Sequence, residues 1–135
     1  VVGRQPTRWD RQSGLEAMEV LLEKHPRIDA VLALDDDVAL GAMQAIREAG
    51  REDEMWVTGG GGMKQVVEML MEGEDLVAAD FTYPPSMIAT GVHLGVMCCR
   101  YGEELTKTMP SHLVMDVEVI TEENAEEYYF PESVY

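Results

Sequence analysis

Basic residues are scarce in this sequence. Ten Lys and Arg stand against 26 Asp and Glu among 135 residues, for a formal charge of −16. Phosphate binding needs a basic face, so the balance argues against a nucleic-acid partner and against anionic membrane surfaces. Long apolar runs are also missing, and none approaches the roughly 18 residues of a membrane span. Cysteine is limited to the adjacent Cys98 and Cys99. Neighbouring cysteines rarely bridge, because a disulfide sets its Cα atoms about 5.5 Å apart in suitable directions. They read as two buried thiols, and no Cys/His spacing suggests a metal. The first residue is Val1 rather than Met, and no signal-like segment follows, so the chain is expected to be processed or cut from something longer. Neither an internal repeat nor a low-complexity linker is present. Hydrophobic residues make up 46% of the chain, which disfavours disorder. The length suits one domain, or one lobe of a larger protein.

Short apolar runs alternate with helical patterns. Val1-Val2 reads as the end of a strand. Leu15, Met18, Leu21 and Leu22 give one buried face to a helix from about Asp10 to His25, stopped by Pro26. Ala30 to Leu34 is a continuous apolar run, as in a parallel strand covered on both faces. Asp35-Asp36-Asp37 opens a second helix with Ala39, Ala42, Met43 and Ile46 inside and Gly50 as its stop. Met55 to Thr58 is a strand and Gly59 to Gly62 a turn. Met63, Val66, Val67, Leu70 and Met71 then line a third helix that Gly73 ends. Leu76 to Ala79 is a further strand. Pro84-Pro85 starts a fourth helix reaching about Tyr101, in which Gly91, Gly95 and Cys99 would let another element approach closely. Leu113 to Ile120 reads as the last strand, with Thr121 capping a short acidic helix. The alternation predicts an α/β fold of three layers, a mainly parallel sheet with helices on both faces.

In such sheets ligands sit beyond the carboxyl ends of the strands, where chain order reverses. That rule selects Trp9, Asp35 to Asp37, Gly59 to Gly62 and Asp80 to Tyr83. Asp at a helix start is ordinary capping, yet three in a row exceed what a cap needs. Asp35, nearest the strand, is the expected hydrogen-bond acceptor for ligand hydroxyls or an amine, which leaves Asp36 or Asp37 as the cap. The four glycines do not match the phosphate-binding loop, since Met63-Lys64-Gln65 replaces Gly-Lys-Ser/Thr. They read as a close-approach turn beside a ligand. Trp9 offers either a stacking face for a sugar ring or plain packing. His25, His93 and His112 are scattered, and no serine sits in a nucleophile elbow. No catalytic constellation is found, so no enzyme is expected. A phosphorylation receiver domain fails too, because none of Lys24, Lys64 and Lys107 ends a strand as it requires.

Trp9-Asp10-Arg11 followed by Gly14-Leu15-Glu16-Ala17-Met18, His25-Pro26-Arg27-Ile28-Asp29-Ala30-Val31, and Asp36-Asp37-Val38-Ala39-Leu40-Gly41-Ala42 resemble the ribose-type periplasmic sugar-binding proteins of ABC transporters. The run from Thr121-Glu122-Glu123-Asn124 to Tyr135 is similar to closing segments of that family. The resemblance covers nearly the whole chain, and the sugar-responsive bacterial repressors share the same ligand domain.

The resemblance implies that residues 1–135 form most of a carboxy-terminal lobe, as an incomplete periplasmic-binding-protein-like lobe. It also implies that 83–110 is a crossover belonging to an amino-terminal lobe absent here. It carries ligand roles by position. Trp9 matches an aromatic that stacks on the sugar, Asp35 an Asn or Asp that bonds hydroxyls, and Thr82 a polar hinge residue. Gly60 falls where the family usually has a binding Asp, a departure that removes a carboxylate from the expected ligand contacts. The implied partners are a sugar or polyol and a membrane permease, with no cofactor and no metal. The implied place is periplasmic or extracellular. Exposed or swapped elements would favour a homodimer. The competing reading is the effector domain of a sugar-responsive transcription regulator, which an upstream helix-turn-helix would mark.

Overall fold

A computed structural model describes residues 1–83, 86–110 and 112–133. The chain divides into two compact units, Val1–Thr82 with Glu118–Tyr135, and Tyr83–Val117.

The first unit is a four-stranded sheet with four helices. Its elements in chain order are α1 (Arg11–Lys24), β1 (Ala30–Leu32), α2 (Asp36–Glu48), β2 (Trp56–Thr58), α3 (Lys64–Met71) and β3 (Val77–Phe81), then β4 (Val119–Ile120) and α5 (Ala125–Tyr128) after the second unit's residues. The sheet order is β1-β2-β3-β4, with the first three strands parallel and β4 antiparallel to β3. The α/β class and its mainly parallel sheet are as the sequence implied. The order runs without the reversal expected of the ligand crevice.

Local chemistry sets the helix ends. Asp10 caps α1 by accepting from the Ser13 N–H, and His25 closes it. Gly50 and Gly73 take φ of 63° and 69°, the left-handed geometry that stops a helix and that glycine adopts without penalty. The expected inner face of α2 is buried at Ala39, Ala42, Met43 and Ile46, and that of α3 at Val66, Val67 and Leu70, whereas Met63 is half-buried and Met71, expected inside, is exposed. Met18 from α1, Val57 from β2 and Ile120 from β4 complete the core, each such side chain contributing roughly 1.5–3 kcal/mol. Helices α1 and α2 approach at backbone distance. A Cβ on Gly14 would strike the Val38 carbonyl, and one on Gly41 would strike the Arg11 carbonyl. This contact sets the start of α1 beside the start of α2.

Several expectations are corrected. Val1 and Val2 are exposed and form no strand. Strand β1 is not covered on both faces. It is the free edge of the described sheet, and Ala30, Leu32 and Leu34 stay exposed. The last strand shrinks from Leu113–Ile120 to Val119–Ile120, because β3 offers partners only at Asp80 and Phe81. Thr121 does not cap α5. Asn124 occupies that position, and its side chain instead accepts from the Thr121 N–H at 2.7 Å.

The second unit holds α4 (Ser86–Thr108), broken at Gly102 where φ is 63° and ψ is −154°, and residues 112–117, which form no regular secondary structure. The break falls one residue beyond the Tyr101 end expected from the sequence. The proposed start at Pro84-Pro85 lies outside the described residues. Among the described residues a Cβ on Gly91 or Gly95 would meet nothing within 4 Å, so none of them packs against these glycines. The cysteines are free, Cys98 half-buried with its Sγ 3.6 Å from the Met109 Sδ, and Cys99 exposed rather than buried. Apolar side chains at Ile88, Val92, Val96 and Met97 are exposed as well.

Candidate functional site

The carboxyl ends of β1, β2 and β3 meet in one rim inside the first unit. Asp35 ends β1 and heads α2. Its Oδ1 accepts from the Asp37 N–H at 3.0 Å and the Val38 N–H at 3.4 Å, so Asp35 is itself the cap. The expectation that Asp36 or Asp37 would cap the helix is thereby corrected. Asp37 instead pairs with Arg11 at 3.2 Å, and Arg11 also reaches Gln65 at 3.2 Å. One guanidinium therefore ties together the starts of α1, α2 and α3.

Gly60 lies directly beside Asp35. A Cβ placed on it would stand 3.2 Å from the Leu34 carbonyl carbon and oxygen and 3.5 Å from the Asp35 nitrogen. Next to it Gly61 forms a parallel bridge to Thr82. The Thr82 hydroxyl accepts from the Glu118 N–H at 2.8 Å, and the Thr82 N–H donates to the Glu118 carbonyl at 2.9 Å. Three of the four residues singled out in the sequence are thus neighbours. The fourth, Trp9, stands at the start of α1, two residues before Arg11. Its indole is 64% exposed and makes no hydrogen bond among the described residues. Its backbone is left-handed at φ 62°, the one non-glycine positive φ among the described residues and a costly state for a bulky side chain.

Behind the rim sits a feature that sequence reasoning missed. Asp36 and Asp80 are both completely buried. Their oxygens converge on Gly59. Asp36 accepts from the N–H groups of Gly60 at 2.8 Å and Met63 at 2.6 Å. Asp80 accepts from those of Gly62 at 3.0 Å and Phe81 at 2.6 Å. Burial raises the pKa of both. For Asp80 the Asp36 charge adds to it, pushing the carboxyl up to about 7. Gly59 lacks a side chain for a visible reason. A Cβ there would collide with the Asp36 Oδ1 and stand 3.0 Å from the Asp80 Oδ1. Two signals in the sequence pointed here. An Asp at the end of an apolar strand is uncommon, and the glycine run exceeds what a tight turn needs.

The turn's donors are all committed. Gly59 donates to Ala79, Gly61 to Phe81, and Gly60, Gly62 and Met63 to the carboxyls. No N–H of the turn is left for an anion, so the glycines do not form a phosphate cradle. The rim offers instead the second oxygen of Asp35 as an acceptor and an indole face. A shallow concavity of about 360 Å³ lies at the opposite, amino end of the strands, lined by Glu52, Asp53, Glu54, Met55, Trp56 and Asp75.

An acceptor-rich rim lies at the carboxyl ends of the parallel strands, the end at which open α/β sheets hold their ligands. The periplasmic binding protein domain family matches residues 1–104. The ribose import binding protein of Salmonella typhimurium (strain LT2) is 34% identical over 113 residues, covering 84% of this chain and 37% of that protein. That of Bacillus subtilis (strain 168) is 30% identical over 118 residues, covering 87% and 37%. Among solved structures, an ABC transporter solute binding protein from Bacillus halodurans C-125 with bound myo-inositol superposes with a TM-score of 0.73 at 28% identity, covering 90% of this chain and 40% of that one. An ABC transporter periplasmic solute binding protein from Actinobacillus succinogenes 130z with bound D-allose shares the fold at a TM-score of 0.78 and 22% identity, covering 95% and 43%. The chain belongs to the periplasmic binding protein domain family. It spans little more than a third of the length of these curated relatives.

Proposed function

We propose that this chain is the carboxy-terminal ligand lobe of a solute receptor serving an ABC importer, and that it binds a sugar or polyol without chemical conversion. The observation that carries the reading is the meeting of Asp35, Gly60 and Thr82 at adjacent strand ends. The names of the relatives, ribose import and allose binding among them, support the ligand class. In this reading Asp35 accepts from ligand hydroxyls with the oxygen its cap leaves free. Trp9 stacks on the C–H face of the ring, and Thr82 serves the hinge. Gly60 supplies no carboxylate where the family usually places one, which shifts the choice of sugar. Residues 83–110 belong with an amino-terminal lobe, the receptor works in the periplasm or outside the cell, and a membrane permease is its partner.

A nitrogen–proton chemical-shift titration of the chain with D-ribose, D-allose and myo-inositol tests this. The expected result is weak binding that moves the amides of Asp35, Gly60 and Thr82 and the Trp9 indole. Asp35→Ser keeps a cap but removes the free carboxylate oxygen, and should lose the response. Shifts confined to other residues, or an undiminished response in Asp35→Ser, would refute the site.

A further inference from the structure

The buried carboxyl pair has no part in the ligand contacts just described, yet it holds the turn's N–H groups at Gly60, Gly62 and Met63, while Gly59 and Gly61 bond to β3. We infer that Asp36 and Asp80 are a positioning pair: one proton shared between their carboxyls fixes the Gly59–Met63 turn, and loss of that proton releases the turn together with the Gly60 corner of the rim.

The geometry leaves little alternative. Both side chains are completely buried. Their anchors differ in stiffness. Asp36 belongs to the first turn of α2 and Asp80 to β3, whereas three of the four backbone N–H groups they hold come from the turn, at Gly60, Gly62 and Met63. Four successive glycines make the turn the most adaptable of the three, although Gly59 and Gly61 are tied to β3. Two buried carboxyls that converge on one glycine resist ionising together without a cation. None is present among the described residues. Asp35, the residue before Asp36, adds a like charge. Arg11 on α1 is committed to Asp37 and Gln65. Lys64 at the head of α3 donates to the Pro131 carbonyl at 2.7 Å and lies over the Tyr129 ring. From β4 the neighbour is the apolar Ile120, and Glu118 accepts from the Tyr128 hydroxyl. Burial thus favours a singly protonated pair, and Asp80, raised to about 7, is the group that gives up its proton near neutrality. Once both are charged, their repulsion acts on the bonds that hold the turn. The consequence for ligand affinity, a loss on the alkaline side, rests on the sugar-binding reading; the effect on the turn does not.

Amide hydrogen exchange of the chain between about pH 6 and about pH 8.5 tests the pair, after correction for the intrinsic pH dependence of exchange. Protection over residues 59–66 is expected to fall roughly tenfold or more while the core amides of α2 hold theirs. Asp80→Asn keeps a donor towards Asp36 but only one of the two oxygens that accept from Gly62 and Phe81, so its absolute protection starts lower; it has no proton to lose. Its turn protection should be flat with pH. Unchanged wild-type protection, or an Asp80→Asn profile that falls like the wild type, would overturn the inference. D-ribose is added in a parallel arm. Absence of any D-ribose effect at either pH counts against the sugar reading alone, because exchange in the free chain decides the pair.

Discussion

Replacing Gly59 by alanine puts a methyl group where two buried carboxyls already converge. The new Cβ would overlap the Asp36 Oδ1 and sit 3.0 Å from the Asp80 Oδ1. The backbone cannot retreat easily, since the Gly59 N–H is held by the Ala79 carbonyl at 3.0 Å. Asp36 must therefore move, and with it the bonds from Gly60 at 2.8 Å and Met63 at 2.6 Å. Hydrogen bonds to a charged group are worth about 1.5–3 kcal/mol each, and a buried donor left unpaired costs a similar amount. Partial relaxation recovers some of this, leaving a loss of about 3 kcal/mol, a large share of the 5–15 kcal/mol typical of a domain. Urea denaturation followed by circular dichroism measures it. Gly91→Ala is the control, because its Cβ meets nothing within 4 Å in a helix, and it should gain about 0.5–1 kcal/mol. A Gly59→Ala variant within about 1 kcal/mol of the wild type would show that the carboxyl pair does not depend on the missing side chain.

Stability itself should fall as pH rises. Asp80 is raised from 3.8 to about 7, so the folded state holds a proton that the unfolded chain gives up; this contribution is complete below about pH 4 and is lost as pH climbs through about 7. The limit is about 4 kcal/mol at 1.36 kcal/mol per pH unit, and denaturation midpoints for Asp80→Asn should lack this slope. Trp9→Gly removes the left-handed strain at φ 62°. It should raise stability by about 1 kcal/mol in the same urea assay while weakening the sugar response, a trade expected where strain serves a site. Light scattering on the dilute chain should give a dimer, since Ile88, Val92, Val96 and Met97 are exposed along α4; a well-folded monomer of 15.1 kDa would reject this.

Periodicity made the helices legible. The inner faces of α1, α2 and α3 follow from the spacing of Met18, Met43, Ile46, Val66, Val67 and Leu70, and Gly50 and Gly73 mark two of the stops. Strand limits were harder, because an apolar run does not say how many residues its neighbour can pair. Leu113 to Val117 have strand composition but no partner in the sheet. The site was half visible. The rule of strand ends selected Asp35, Gly60 and Thr82, whose neighbourhood follows from parallel order. Within the acidic triplet, however, the side chains at 35, 36 and 37 leave the helix start in different directions. One caps, one is buried against Asp80, and one meets Arg11. Their spacing carries no such distinction, and the partner of Asp36 lies on a strand far along the chain.

The chain leaves the sheet at Thr82 and re-enters it at Glu118, two residues that grip each other through bonds of 2.9 Å and 2.8 Å. Geometrically this is the mouth of a hairpin with an oversized loop. The pairing of Thr82 with Glu118 is the kind of closure that a two-residue Asn-Gly connection makes in an ordinary hairpin. Closure entropy grows only slowly with loop length, so the same doorway tolerates guests of very different size. The first unit is in this sense a socket, able to accept or shed an inserted module while its own ladder stays shut.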